Sequence, residues 1–138
     1  MGLGRVLVVD DEANIRRSLR LILTKGGYDV VEAEDGEQGL AAIKKSNEND
    51  LLVDVILCDL YMPKMNGMEA ITYFRSQFPS VPVIVLTGEP DLQKAEMLKM
   101  EQGVMEYLVK PVQPQQIVAA VHAASFHKAV QEHVFFAT

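Results

Sequence analysis

The chain is poor in features that would place it outside a reducing, aqueous compartment. A single cysteine, Cys58, in 138 residues rules out an internal disulfide framework. Its strand neighbours are all apolar, which marks it as a small core residue rather than a nucleophile. No apolar run approaches the roughly 20 residues of a membrane span. Basic residues are outnumbered, 13 against 19 acidic, and the formal charge of −6 argues against nonspecific binding to nucleic acid or an anionic membrane. Met1-Gly2 does not open a myristoylation signal, because Val6 stands where Ser or Thr is needed. No secretory leader, low-complexity tract or internal repeat is visible, so a cytoplasmic location is expected. The length suits one domain with a core of its own, and 49% hydrophobic residues with 23% charged is ordinary for a soluble chain.

What is present is organised around Val55–Gly67, V-I-L-C-D-L-Y-M-P-K-M-N-G. Four apolar residues run without alternation, as in a strand covered on both faces, and stop abruptly on Asp59. Arg5–Val9 is a similar run and stops on Asp10-Asp11-Glu12. A helix with Ile15, Leu19, Ile22 and Leu23 follows, closed by Gly26-Gly27. Tyr28–Ala33 reads as a second strand, and Asp35 as the N-cap of a helix containing Leu40, Ala41 and Ile43. Gly39 should make that helix the weakest, by about 1 kcal/mol against alanine. Ser46–Val53 reads as a long polar loop.

Beyond Gly67, a helix carries Met68, Ile71, Phe74 and Arg75 and stops before Pro79. Val83–Leu86 is a buried strand ending on Thr87-Gly88. Leu92–Gln102 is helical, with Gly103 as its stop, and Met105–Val109 is a strand ending on Lys110-Pro111. Pro114 opens a last helix running to about Phe136. Its seam of Ile117, Val121 and Ala124 is broken by Lys128, and a second seam starts with Phe126, Val130 and Val134. All three histidines, His122, His127 and His133, lie in this helix at spacings that scatter them around it, which excludes a metal site there.

Strands and helices thus alternate five times, predicting an α/β domain with a parallel sheet. All strands but the second end on polar residues, and in a parallel sheet those ends share one edge. Carboxylates from Asp10, Asp11 and Asp59, the Thr87 hydroxyl and the Lys110 ammonium then meet in one crevice. Such carboxylates need a cation or a proton at neutral pH, and an oxygen-only set favours a hard ion, Mg2+ or Mn2+. With a lysine and a hydroxyl alongside, the crevice suits phosphoryl transfer to a carboxylate nucleophile, Asp59 being the most central.

With these motifs together, nearly the whole chain resembles the receiver domain of two-component response regulators. The resemblance implies a flavodoxin-like (βα)5 three-layer sandwich with sheet order 2-1-3-4-5 and a cis Lys110–Pro111 bond. It implies Asp59 as phosphoacceptor, with magnesium held by Asp11, Asp59 and the Tyr61 carbonyl and by Asp10 through water. Lys110 and Thr87 would contact the phosphoryl oxygens, and Tyr107 would change rotamer with Thr87 on activation. Tyr61 and Glu89, two positions past Asp59 and Thr87, would flank the path of hydrolytic water, with Lys64 a possible partner for Glu89. The implied donor is a histidine kinase or phosphotransfer protein. Output would pass through the face made by the Leu92–Gln102 helix, the last strand and the last helix, to a domain beyond residue 138 or a second copy. Met97, Met100 and Met105 flank that face and are expected in the core. The domain core is expected at 4–125, with 126–138 a helix extension or linker. The protein would be a switch, not a turnover enzyme, although one that catalyses its own phosphorylation and dephosphorylation. A haloacid-dehalogenase-type phosphatase is the alternative, but its acid/base aspartate would fall at Tyr61. A flavodoxin-like cofactor binder needs a phosphate loop where this chain has Asp10-Asp11-Glu12.

Overall fold

A computed structural model of the chain describes residues 2–62, 67–88 and 91–137, with side chains followed as far as Lys128. The strands are β1 (Gly4–Val9), β2 (Tyr28–Ala33), β3 (Val55–Cys58), β4 (Val83–Thr87) and β5 (Glu106–Val109). They alternate with the helices α1 (Ala13–Lys25), α2 (Gly36–Glu48), α3 (Gly67–Gln77), α4 (Leu92–Glu101) and α5 (Pro114–Ala137). The five strands form one sheet, paired in parallel, in the order β2-β1-β3-β4-β5.

The unbroken apolar runs of β1 and β3 are explained by the two layers that cover them. Successive strand side chains point to opposite faces. Leu7, Val9, Ile56, Cys58 and Val85 enter one core with Ile43, Ala70, Ile71, Phe74 and Leu98 from α2, α3 and α4. Val6, Val8, Val55, Leu57, Ile84 and Leu86 enter the other with Leu19, Leu23, Ile117, Val121 and Ala124 from α1 and α5. Cys58 is fully buried, and burial pushes its thiol pKa up, consistent with a packing role.

Four expectations change. Helix α2 extends through Glu48, so the first residues of the Ser46–Val53 segment are helical and the loop is short. Its N-cap is as expected: the Asp35 carboxylate accepts from the Gln38 N–H at 2.9 Å. Gly39 is no simple weakness. It is buried, and a Cβ there would lie 3.1 Å from both Phe74 Cζ and Val9 Cγ2, so its bare backbone lets α2 approach β1 and α3. Lys128 does not break the α5 seam but continues it: it is buried, with its ammonium 3.7 Å from Asp54 Oδ1. The other Asp54 oxygen accepts from the Arg5 N–H at 2.8 Å, so α5 is tied to the start of β1 and β3. Met100 is exposed on α4, whereas Met105 packs against the second core layer as expected. Phe126 is exposed; Val130 and Val134 carry side chains outside the described residues.

Candidate functional site

The register of the sheet brings the four polar strand ends together. The Asp59 N–H donates to the Val9 carbonyl at 2.9 Å, which sets Asp59 beside Asp10. The Lys110 N–H donates to the Thr87 carbonyl at 2.7 Å, which sets Lys110 at the end of β4. The Lys110 ammonium then spans the crevice, donating to Asp10 Oδ2 at 2.8 Å and to Asp59 Oδ2 at 3.4 Å. Residues 10, 59 and 110 thus meet although 49 or more positions separate neighbours in the chain. Asp10, Asp59 and Thr87 are all buried. The Lys110–Pro111 peptide is cis, as the resemblance implied.

Each carboxylate has its remaining oxygen engaged. Asp10 Oδ1 accepts from the Glu12 N–H at 2.9 Å, and the Asp10 carbonyl accepts from the Arg16 guanidinium at 2.6 Å. Asp59 Oδ1 accepts from the Tyr61 N–H at 3.3 Å. Desolvation raises the Asp59 pKa, and the Asp10 charge adds to it, against the pull of Lys110 and the Tyr61 N–H. Burial also works against the charge on Lys110. The hydrogen bonds and charges of Asp10 and Asp59 outweigh that and raise its pKa, so it is held as a cation.

The chain just past β1 is the other half of the crevice. Carboxylate oxygens of Asp10, Asp11 and Glu12 all lie within 4.8 Å of one another. Asp10 and Asp11 of this trio are acids that the resemblance named for the metal, and Glu12 is a further one. Sequence reasoning passed over Glu12 as one more acid in a run. It occupies the N-cap of α1 without making a side-chain capping bond, so its carboxylate is not spent on the helix. Three clustered oxygen donors, two of them solvent-facing, fit a hard divalent cation that keeps water in its shell.

Gly67 closes the loop that follows Asp59. Its N–H donates to the Leu60 carbonyl at 2.8 Å, and a Cβ there would lie 2.2 Å from the Asp59 carbonyl oxygen. Only glycine lets α3 start against the strand end. Tyr107, half-buried at the edge of the first core layer, has a pKa raised chiefly by desolvation, with the Asp91 N–H bonded to its hydroxyl. Tyr61 is 43% exposed and is met by Lys94 of α4, a contact that no sequence motif announced. Lys64 and Glu89 lie outside the described residues.

The model of the response regulator receiver domain matches residues 6–122, most of the chain. The chain belongs to this family. As a receiver domain it is 35% identical over 119 residues to the DNA-binding response regulator MtrA of Mycolicibacterium paratuberculosis, covering 86% of this chain and 50% of that protein. It is 37% identical over 119 residues to the transcriptional regulatory protein ResD of Bacillus subtilis, covering 86% of this chain and 47% of that one. Among solved structures, a response regulator receiver domain protein from Clostridium thermocellum matches with a TM-score of 0.82 at 35% identity, covering 94% of this chain and 99% of that one. The receiver chain spans about half the length of the curated relatives it matches. Family membership displaces the phosphatase and flavodoxin-like readings. No helix among the described residues is long and apolar enough to cross a membrane.

Proposed function

We propose that this receiver domain takes a phosphoryl group on Asp59 from a histidine kinase or phosphotransfer protein, with Mg2+ or Mn2+ at the acidic end of the crevice. The observation that carries the reading is the Lys110 ammonium bridging Asp10 and Asp59. It fixes one cation where the oxygens of an incoming phosphoryl group would gather. An Asp59 oxygen attacks phosphorus, the bond to the donor's imidazole nitrogen breaks, and that nitrogen keeps the electron pair. Asp11, Glu12 and Asp10 are the side chains that would hold the cation, with Asp59 and the Tyr61 carbonyl at the reacting side. When bound, it neutralises the phosphoryl oxygens and the crowded carboxylates. Thr87, at the end of β4, is the hydroxyl that would contact the same oxygens.

The domain then acts as a switch that turns over only its own phosphate. In this reading residues 4–125 form its core, and the chain from 126 onwards is a helix extension or the start of a linker. Output goes through α4, β5 and α5, where Leu92, Met100, Val109 and Phe126 are exposed apolar residues. A domain beyond residue 138 or a second copy would cover them, and similarity to a DNA-binding response regulator and a transcriptional regulatory protein supports the former. With a net charge of −6 this segment itself does not hold nucleic acid. The test is consumption of acetyl phosphate followed by phosphorus NMR. Lys110→Ala should slow it by at least about tenfold, the scale of losing one charged group at a phosphoryl-transfer site. Wild-type rates in that variant would remove Lys110 from the chemistry.

A further inference from the structure

Tyr61 follows Asp59 by two positions, and its side chain does not stand free beside the site. Lys94 in the first turn of α4 donates to the Tyr61 hydroxyl at 3.1 Å, and its ammonium lies 4.9 Å from the ring centroid. One lysine therefore grips the ring by its edge and its π system together. The same turn of α4 is fixed at both ends. The Asp91 carboxylate caps it by accepting from the Lys94 N–H at 3.0 Å, and the Asp91 N–H is bonded to the Tyr107 hydroxyl. At its other end Tyr61 is tied to the site itself, its N–H donating to Asp59 Oδ1.

We propose that Lys94 is a positioning residue: it clasps the Tyr61 ring over the approach to Asp59 and so makes the acyl-phosphate lifetime depend on the state of α4. The inference rests on phosphorylation at Asp59. In hydrolysis, water attacks phosphorus, the bond to the Asp59 oxygen breaks, and the carboxylate leaves with the electron pair while the water's proton goes to solvent. A ring held in place narrows the path of that water; a released ring does not. Because the clasp joins the site loop to α4, a partner that moves α4 changes the lifetime, and phosphorylation changes the partner's affinity in return.

Two measurements test it. In the unmodified protein, the Lys94 ε-methylene protons should show an upfield ring-current shift that disappears in Tyr61→Ala. No such shift would overturn the clasp, whatever the phosphorylation chemistry. Next, wild type, Lys94→Met, Lys94→Arg, Tyr61→Ala and the Lys94→Met/Tyr61→Ala double variant are phosphorylated with acetyl phosphate and Mg2+, the donor is removed, and phosphate loss is followed by intact mass. Lys94→Met should lose phosphate about threefold faster, the scale of one exposed contact, and Lys94→Arg should stay near wild type. In the Tyr61→Ala background Lys94→Met should add nothing, as coupling through the ring requires. Equal decay in Lys94→Met and wild type, or an undiminished effect without the ring, would overturn the proposal. A wild type that gains no phosphate would instead overturn the Asp59 reading, with the ring shift still reporting the clasp.

Discussion

At the scale of the residue, Asp59 is held where its charge is costly. It is buried beside Asp10, and desolvation raises its pKa above the ordinary 3.8 despite Lys110. A carboxyl group whose folded pKa is raised binds its proton more tightly in the folded state than in the unfolded one. Stability is therefore undiminished below the ordinary value and is lost as pH rises through the folded value. Asp59→Asn removes the charge and should raise Tm at pH 7.5, in chelator, by about 3 °C. The gain should shrink as pH falls below the ordinary value, where Asp59 becomes protonated in the unfolded state as well. A gain that does not change with pH, or a loss at pH 7.5, would show that Lys110 already compensates the charge in full. The same residues show what a sequence exposes. Asp10, Asp59, Thr87 and Lys110 each end an apolar run, so their convergence was legible. The Glu12 carboxylate and the Lys94–Tyr61 contact were not, because loop geometry and side-chain direction decide them.

At the scale of the element, hydrophobic patterning located all ten helices and strands among the described residues, since burial on one or two faces dictates the pattern. It failed where a polar or absent side chain does packing work. Lys128 read as a break in α5, yet the ammonium finds Asp54 and the aliphatic stem continues the seam. Gly39 read as a helix defect, yet it is the space into which Val9 and Phe74 fit. Neither fact can be taken from composition, because each depends on a partner far away in the chain. The Lys128–Asp54 pair makes an unequal prediction. Asp54→Ala leaves a buried ammonium without this carboxylate and the Arg5 N–H without its acceptor, and should cost about 2 kcal/mol. Lys128→Met keeps the seam apolar and should stay within about 1 kcal/mol of wild type. Urea unfolding of both variants decides it: equal losses would mean that the pair acts through packing alone.

At the scale of the whole molecule, the proposed function makes the sheet edge and the α4–β5–α5 face parts of one device. Thr87 ends β4 inside the site, Lys110 ends β5, and Tyr107 lies three residues before it, bonded to the start of α4. A phosphoryl group that draws Thr87 and Lys110 inward must disturb β4, β5 and the first turn of α4 together. Amide shifts on adding a beryllium fluoride mimic with Mg2+ should concentrate in residues 87–112. Shifts confined to the loop after Asp59 would mean that the site and the face are not coupled. The functional expectations rest on a single claim, that Asp59 is the one residue that takes the phosphate. The most direct test is the intact mass of wild type and Asp59→Asn after incubation with acetyl phosphate, each with Mg2+ and with chelator. One phosphoryl group on the wild type, dependent on Mg2+, and none on Asp59→Asn is the predicted result; phosphate retained by the variant and mapped to another residue would contradict it.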